Sequence, residues 1–227
     1  MRLYDVHTHI IPGIDDGAKD KEQSIQMLKM LKDAGITDVV LTPHYYPFDM
    51  PVKEFLQRRQ EKYSEIADAI EELGLKAHLG AEVYFSDVLF AYDDLKDLCI
   101  DGKKYLLLEL PFCERNQQKI LTYLHKISAN FSVNIILAHI ERYPHLFNEE
   151  FLEKVYDMEC LVQIDIVSLT SYFKKKKIIK YIKKGYIQLA SSDCHNTTTR
   201  RPCFDLLKEN LDESMVRYLL NIFHMIK

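Results

Sequence analysis

The sequence predicts an α/β protein built as a distorted (β/α)7 TIM-like barrel, with residues 1–227 forming one domain. Short apolar runs alternate with segments of helical periodicity along the whole chain. The runs are apolar on successive residues, the mark of strands buried on both faces of a parallel sheet covered by helices. Seven such units follow one another with no long linker, repeat or low-complexity stretch. An open doubly wound sheet is the alternative arrangement.

Taken in order, Arg2–Val6 is the first strand, followed by a loop from Ile10 to Asp20. Lys21–Ala34 carries Ile25, Leu28, Leu31 and Ala34 at helical spacing, and Gly35 ends it as a left-handed cap would. Thr37–Thr42 is a buried strand running into Pro43 and His44. One long helix follows, with Leu56, Tyr63, Ile66, Ile70 and Leu73 as its apolar stripe and Gly74 closing it. Lys76–Val83 and Lys104–Leu110 are the third and fourth strands. Gln117–Ala129 is helical, Val133–Ala138 a strand, Phe147–Tyr156 a helix and Cys160–Ile166 a strand. Thr170–Lys184 is a helix, Tyr186–Ser191 the seventh strand, and helices near Phe204–Asn210 and Ser214–Phe223 close the chain.

Composition narrows the function classes. With 47% hydrophobic and 28% charged residues and a net charge of −4, the chain has a globular balance and lacks the basic face that nucleic-acid binding requires. The run Lys174–Lys177 lies in a helical pattern and reads as a solvated face. Five cysteines without close pairs argue for a reducing compartment. No apolar signal region or membrane-length stretch is visible, so a soluble cytoplasmic protein without membrane insertion is expected.

In a parallel barrel the active site lies at the carboxyl ends of the strands. His7 and His9 stand two residues apart at the end of the first strand, where alternation puts both on one face. Asp15 and Asp16 follow in the next loop. The later strand ends supply His44, Glu82, Glu109, His139, and the pair Asp193 and His195; the sixth strand offers Asp165 as a weaker addition. His78, His125, His145 and His224 fall outside the set. Mixed imidazole and carboxylate donors without thiolate suit Mn²⁺, Fe or Zn²⁺ rather than a structural zinc site. Nine donors exceed the needs of one ion; two or three ions bridged by a carboxylate such as Glu109 would use them and favour hydrolysis. Arg142 and Arg200 carry guanidinium forks to the same rim, and such forks match phosphate oxygens.

These motifs resemble the PHP (polymerase and histidinol phosphatase) superfamily along the whole length. Within it the chain is most similar to the bacterial manganese-dependent tyrosine phosphatases of capsule and exopolysaccharide operons, the CpsB/YwqE-like group. The likeness rests on Asp5-Val6-His7-Thr8-His9, Asp15-Asp16-Gly17, Thr42-Pro43-His44-Tyr45, Gly80-Ala81-Glu82, His139-Ile140-Glu141-Arg142-Tyr143 and Ser192-Asp193-Cys194-His195-Asn196. It implies a trinuclear site, with Mn²⁺ the first choice of metal, bound by His7, His9, Asp16, His44, Glu82, Glu109, His139, Asp193 and His195. Arg142 and Arg200 would hold the phosphate, although Arg201 lies beside Arg200. The implied substrate is a phosphotyrosine protein, a bacterial tyrosine kinase of polysaccharide assembly. Many relatives have proline after the Asp-Asp-Gly triplet; here Ala18 predicts a looser loop around Asp16.

The stretch from Cys194 to Arg200 also has the C-x5-R spacing of thiol-dependent tyrosine phosphatases. It lacks a glycine to let the backbone wrap an anion, and extended backbone would point Cys194 away from Asp193 and His195. The expected reaction is therefore phosphotyrosine hydrolysis by a metal-activated hydroxide. A PHP-type small-molecule phosphatase, such as histidinol-phosphate phosphatase, and a non-catalytic PHP scaffold are the alternatives.

Overall fold

A computed structural model describes residues 2–221. The strands are β1 (Tyr4–Thr8), β2 (Asp38–Leu41), β3 (His44–Tyr45), β4 (Lys76–Leu79), β5 (Glu82–Tyr84), β6 (Tyr105–Glu109), β7 (Asn134–Leu137), β8 (Leu161–Asp165) and β9 (Leu189–Ser191). All pairings are parallel, in a three-stranded sheet ordered β1-β2-β4 and a six-stranded sheet ordered β3-β5-β6-β7-β8-β9. The nine strands among the described residues make seven passages: β2 resumes as β3 beyond Thr42-Pro43, past the predicted strand end at Thr42, and β4 and β5 are one predicted strand broken at Gly80-Ala81. Proline lacks the N–H that a ladder needs, which explains the first break. The two sheets curl into one parallel barrel. Thr8 bridges Cys194, and the amides of Asp193 and His9 donate to His7 and Cys194 carbonyls, joining the chain after β9 to the end of β1.

Two apolar layers follow from strand alternation. Tyr4, Val6, Val40, Leu107, Ile136, Ala138 and Leu189 fill the barrel interior with Ile100. The opposite parity, including Val39, Leu41, Leu106, Leu108, Ile135, Leu137, Val162 and Ile164, packs under the helices. Those helices are α1 (Lys21–Asp33), α2 (Val52–Ser64), α3 (Ala67–Glu72), α4 (Gln117–Phe131), α5 (Glu149–Asp157), α6 (Tyr172–Lys183), α7 (Asp205–Asn210) and α8 (Glu213–Asn221).

Two expectations change. The single long helix is two, α2 and α3, broken at Glu65–Ile66; both members of the break keep helical angles, but Ile66 at ψ −2° ends the ladder. Residues 85–104, between the third and fourth predicted strands, carry three short 3-10 turns. The closing helix begins at Glu213, and Phe223, its predicted end, lies outside the described residues, as does His224. The basic run sits on α6, where Lys175 reaches Asn210 and Lys177 lies over the Phe147 ring. Among the described residues no helix is long and apolar enough to cross a membrane.

Candidate metal centre

Strand parity delivers most of the predicted donors to the barrel's carboxyl end. On β6 the interior positions Tyr105 and Leu107 continue to Glu109, and on β8 Leu161 continues to Gln163 and Asp165. On β1 the interior residues Tyr4 and Val6 would by the same alternation leave His7 outside. The pairing with β2 shifts register between Asp5 and Thr8, and such an irregularity re-aims side chains. His139 and Asp193 turn into the site on left-handed backbone, at φ 31° and 48°.

Four donor atoms converge at the centre. His7 Nε2 and His9 Nε2 are 3.1 Å apart. Glu82 Oε2 stands 3.1 and 3.2 Å from them, and Asp193 Oδ1 stands 3.4 and 3.3 Å from them. Donors held about 2.1 Å from one ion stand roughly 3.0–3.4 Å from each other, so this spacing fits a shared cation. Glu82 Oε2 also lies 3.0 Å from His44 Nδ1, while Glu82 Oε1 meets His139 Nε2 at 2.8 Å. Glu109 Oε1 is 3.6 Å from His139. Asp16 Oδ1 lies 3.4 Å from both His44 Nε2 and His195 Nε2. Three donor groupings thus share members: His7–His9–Glu82, His9–Asp16–His44–His195 and His44–Glu82–Glu109. The carboxylate at the middle is Glu82, with Glu109 at the edge.

The polar accounting points to a cation. Glu82 Oε2, Asp193 Oδ1, His44 Nδ1 and His195 Nε2 are buried without a hydrogen bond among the described residues, a costly state for polar atoms. Burial would raise the Glu82 carboxyl, but His7, His139 and His44 hold it well below its ordinary range. Asp193 is likewise held low against its burial by His7 and His9. Burial would depress His9, yet Asp15, Asp193 and Glu82 raise it well above its ordinary value. His139, also opposed by burial, is raised to about 9 by Glu82. Among the side chains themselves, charge balance comes from imidazolium–carboxylate pairs, whose protons a bound cation replaces.

Supporting residues orient these donors. Asp15 accepts from His9 Nδ1 at 2.7 Å, from the Gly17 amide at 2.9 Å and from the His44 amide at 3.0 Å. Gln163 Oε1 accepts from the His139 amide at 2.7 Å and faces His7 Nδ1 at 3.3 Å. Sequence reasoning missed Gln163; its one signal was a polar residue inside an otherwise apolar strand. Glu141, also missed, is buried and accepts from the Asp165 amide and Ser168 hydroxyl at 3.1 and 2.7 Å. The loop expected to be loose is tied: the Ala18 amide donates to the His9 carbonyl at 2.9 Å, a bond proline could not make. Asp16 is still the least enclosed donor, with its side chain 64% exposed.

Arg142 and Arg200 both donate to Asp193 Oδ2, Arg200 at 2.6 Å, and Arg142 also pairs with Asp165 at 2.5 Å. Arg201 instead donates to both carboxylate oxygens of Asp205, at 3.0 and 2.6 Å, on the exposed side of the loop. Cys194 is fully buried in the layer beneath the helices, and burial pushes its thiol well up. His78 is buried away from this rim, between Asp38 and Asp101.

The chain has known relatives. It is 29% identical over 216 residues to the tyrosine-protein phosphatase CpsB of Streptococcus pneumoniae, covering 88% of this chain and 86% of that one. It is 24% identical over 212 residues to the tyrosine-protein phosphatase YwqE of Bacillus subtilis, covering 87% and 79%. Among solved structures, the pair YwqE from Bacillus subtilis and CpsB from Streptococcus pneumoniae, described as unique metal-dependent tyrosine phosphatases, gives a TM-score of 0.75 at 22% identity, covering 94% of this chain and 90% of that one. Histidinol phosphate phosphatase from Lactococcus lactis, complexed with zinc, L-histidinol and phosphate, gives 0.52 at 13% identity over 92% and 94%. Both show the shared α/β-barrel fold. A family model described as capsular polysaccharide synthesis, CpsB/CapC, matches residues 3–224, and the chain belongs to that family.

Proposed function

We propose that the protein is a metal-dependent protein-tyrosine phosphatase, with residues 1–227 acting as one catalytic domain. The observation that carries this reading is the convergence of His7, His9, Glu82 and Asp193 at ligand spacing, with two arginines beside them. His7, His9, Asp16, His44, Glu82, Glu109, His139, Asp193 and His195 would hold two or three ions, Mn²⁺ first, with Fe or Zn²⁺ fitting the same donors. Bound ions supply an activated water and neutralise charge on phosphoryl oxygens. Asp193 collects Arg142 and Arg200 on one carboxylate oxygen, which aims both forks at one spot on the rim. An anion there meets two bidentate donors, and these would hold the non-bridging oxygens of the phosphate. Gln163 and Asp15 fix the imidazoles, so the donors need no reorganisation during the reaction.

The naming of the relatives supports a phosphotyrosine protein as substrate, and the family's description supports a role in capsule or exopolysaccharide synthesis. The partner would be a bacterial tyrosine kinase of polysaccharide assembly, met in the cytoplasm. The test is hydrolysis of a phosphotyrosine peptide with Mn²⁺, with histidinol phosphate as comparator. We expect the peptide to be the better substrate, activity to vanish with chelator and to return with Mn²⁺. Activity that survives complete metal removal, or a preference for histidinol phosphate, would sink the reading.

A further inference from the structure

Two phenylalanines on the rim are exposed although each stacks toward a predicted donor. Phe48 is 59% exposed and Phe112 is 49% exposed. Phe48 ends a ladder of rings that starts on His44. Tyr46 lies 5.4 Å from His44 at 27°, Phe48 follows at 5.9 Å, and Tyr84 closes the group at 5.7 Å from Tyr46 and 5.9 Å from Phe48. Phe112 caps a second ladder, stacked 4.8 Å from Tyr143 at 16° and 6.4 Å from His139 at 8°. His44 meets Oε2 of Glu82, as His7 and His9 do, and His139 meets Oε1. Each ladder therefore starts on an imidazole beside the central carboxylate and ends in an apolar face open to solvent.

The arginines gather on Asp193, whereas the aromatic ladders rise over Glu82 and its neighbours. A cavity of about 260 Å³ is lined by Tyr84 of the first ladder and by Pro111 and Cys113, the chain neighbours of Phe112.

We propose that Phe48 and Phe112, backed by Tyr46, Tyr84 and Tyr143, form a slot that grips the phenyl ring of the phosphotyrosine substrate. This rests on the phosphatase reading above. Aromatic rings prefer offset or edge contacts at centroid distances of about 4.5–7 Å, the spacing already used within each ladder. The slot selects aryl over alkyl phosphate esters because a seryl or threonyl ester has no ring to cover the two apolar faces. The cavity beyond Tyr84 then takes the residue next to the phosphotyrosine in an extended peptide.

The experiment measures KM for a phosphotyrosine peptide and the inhibition constant of inorganic phosphate, using the Mn²⁺-loaded full chain. The variants are Phe48→Ala, Phe112→Ala, the double variant and Phe48→Tyr. Each alanine variant should raise KM about tenfold, the size of one lost aromatic pairing. Phosphate inhibition should stay within about twofold, since phosphate has no ring, and Phe48→Tyr should restore KM. Binding of a non-hydrolysable phosphonomethyl-phenylalanine peptide, followed by calorimetry, should weaken in parallel with KM. Unchanged KM in the double variant, or KM and phosphate inhibition moving together, overturns the slot while leaving the phosphatase reading intact. A wild-type protein inert toward the peptide with metal supplied overturns both.

Discussion

At the scale of single residues the site is a balance of buried charges. Asp5 illustrates the cost. It sits fully buried, accepting from the Ser192 amide at 3.1 Å and the Ser192 hydroxyl at 2.5 Å, and burial raises its carboxyl to about 7 despite both bonds. A carboxyl whose pKa is higher folded than unfolded binds its proton more tightly in the native state. Its contribution to stability is complete at acidic pH and is lost as pH rises from about 4 to about 7. In metal-stripped protein, wild type should therefore lose stability relative to Asp5→Asn across that window, by about 1 kcal/mol per pH unit. Denaturant titrations at several pH values check this; parallel curves for the two proteins would count against it. The donors themselves were legible in the sequence, because parallel strands gather their carboxyl ends and His or Asp there stands out. Gln163 was not legible. An amide in an apolar strand carries no chemical signature until the fold shows which imidazole it faces.

At the scale of elements, register and loop geometry decide where the donors point. Alternation alone correctly places Glu109, but it fails on β1, where the irregular pairing with β2 turns His7 inward. No residue type in that stretch announces such a shift. The break between α2 and α3 was hidden for a related reason, since Ile66 and Ile70 both bury themselves and keep the apolar stripe continuous. The loop from β1 to α1 depends on Gly17. A methyl group there would stand 2.1 Å from the His9 carbonyl oxygen and 2.5 Å from the His9 Cβ. Backbone cannot yield that much without moving His9 and the Asp15 carboxylate that holds it. Gly17→Ala should lower Mn²⁺ affinity by about 10–100-fold, the usual effect of disturbing a ligand's support. Metal titration of the folded variant measures it, and wild-type affinity would show that the loop does not set the His9 position.

For the whole molecule, the barrel is two sheets joined at few points. Its donors come from both: His7 and His9 from the three-stranded sheet, Glu82, Glu109 and others from the six-stranded one. Ions bound among them would tie the sheets together and favour only the native state. At a metal concentration about 100 times the dissociation constant this adds about 2.7 kcal/mol. For a chain of this size that corresponds to a melting temperature higher by about 5–10 °C than in chelated protein. Calorimetry of the two forms decides it; identical melting temperatures would mean that the donors bind no ion. The overall architecture could be read in advance from seven alternating units, whereas closure through Thr8 and Cys194 could not, because it uses backbone groups alone. The burial of Cys194 reaches further. Peroxide disables thiol phosphatases by attacking an exposed thiolate, whereas the cysteine of the C-x5-R stretch lies sealed beneath the helices with its thiol pushed well up by burial, and the exposed Cys113 has no part in the proposed reaction. The proposed chemistry thus depends on the supply of metal rather than on a thiolate.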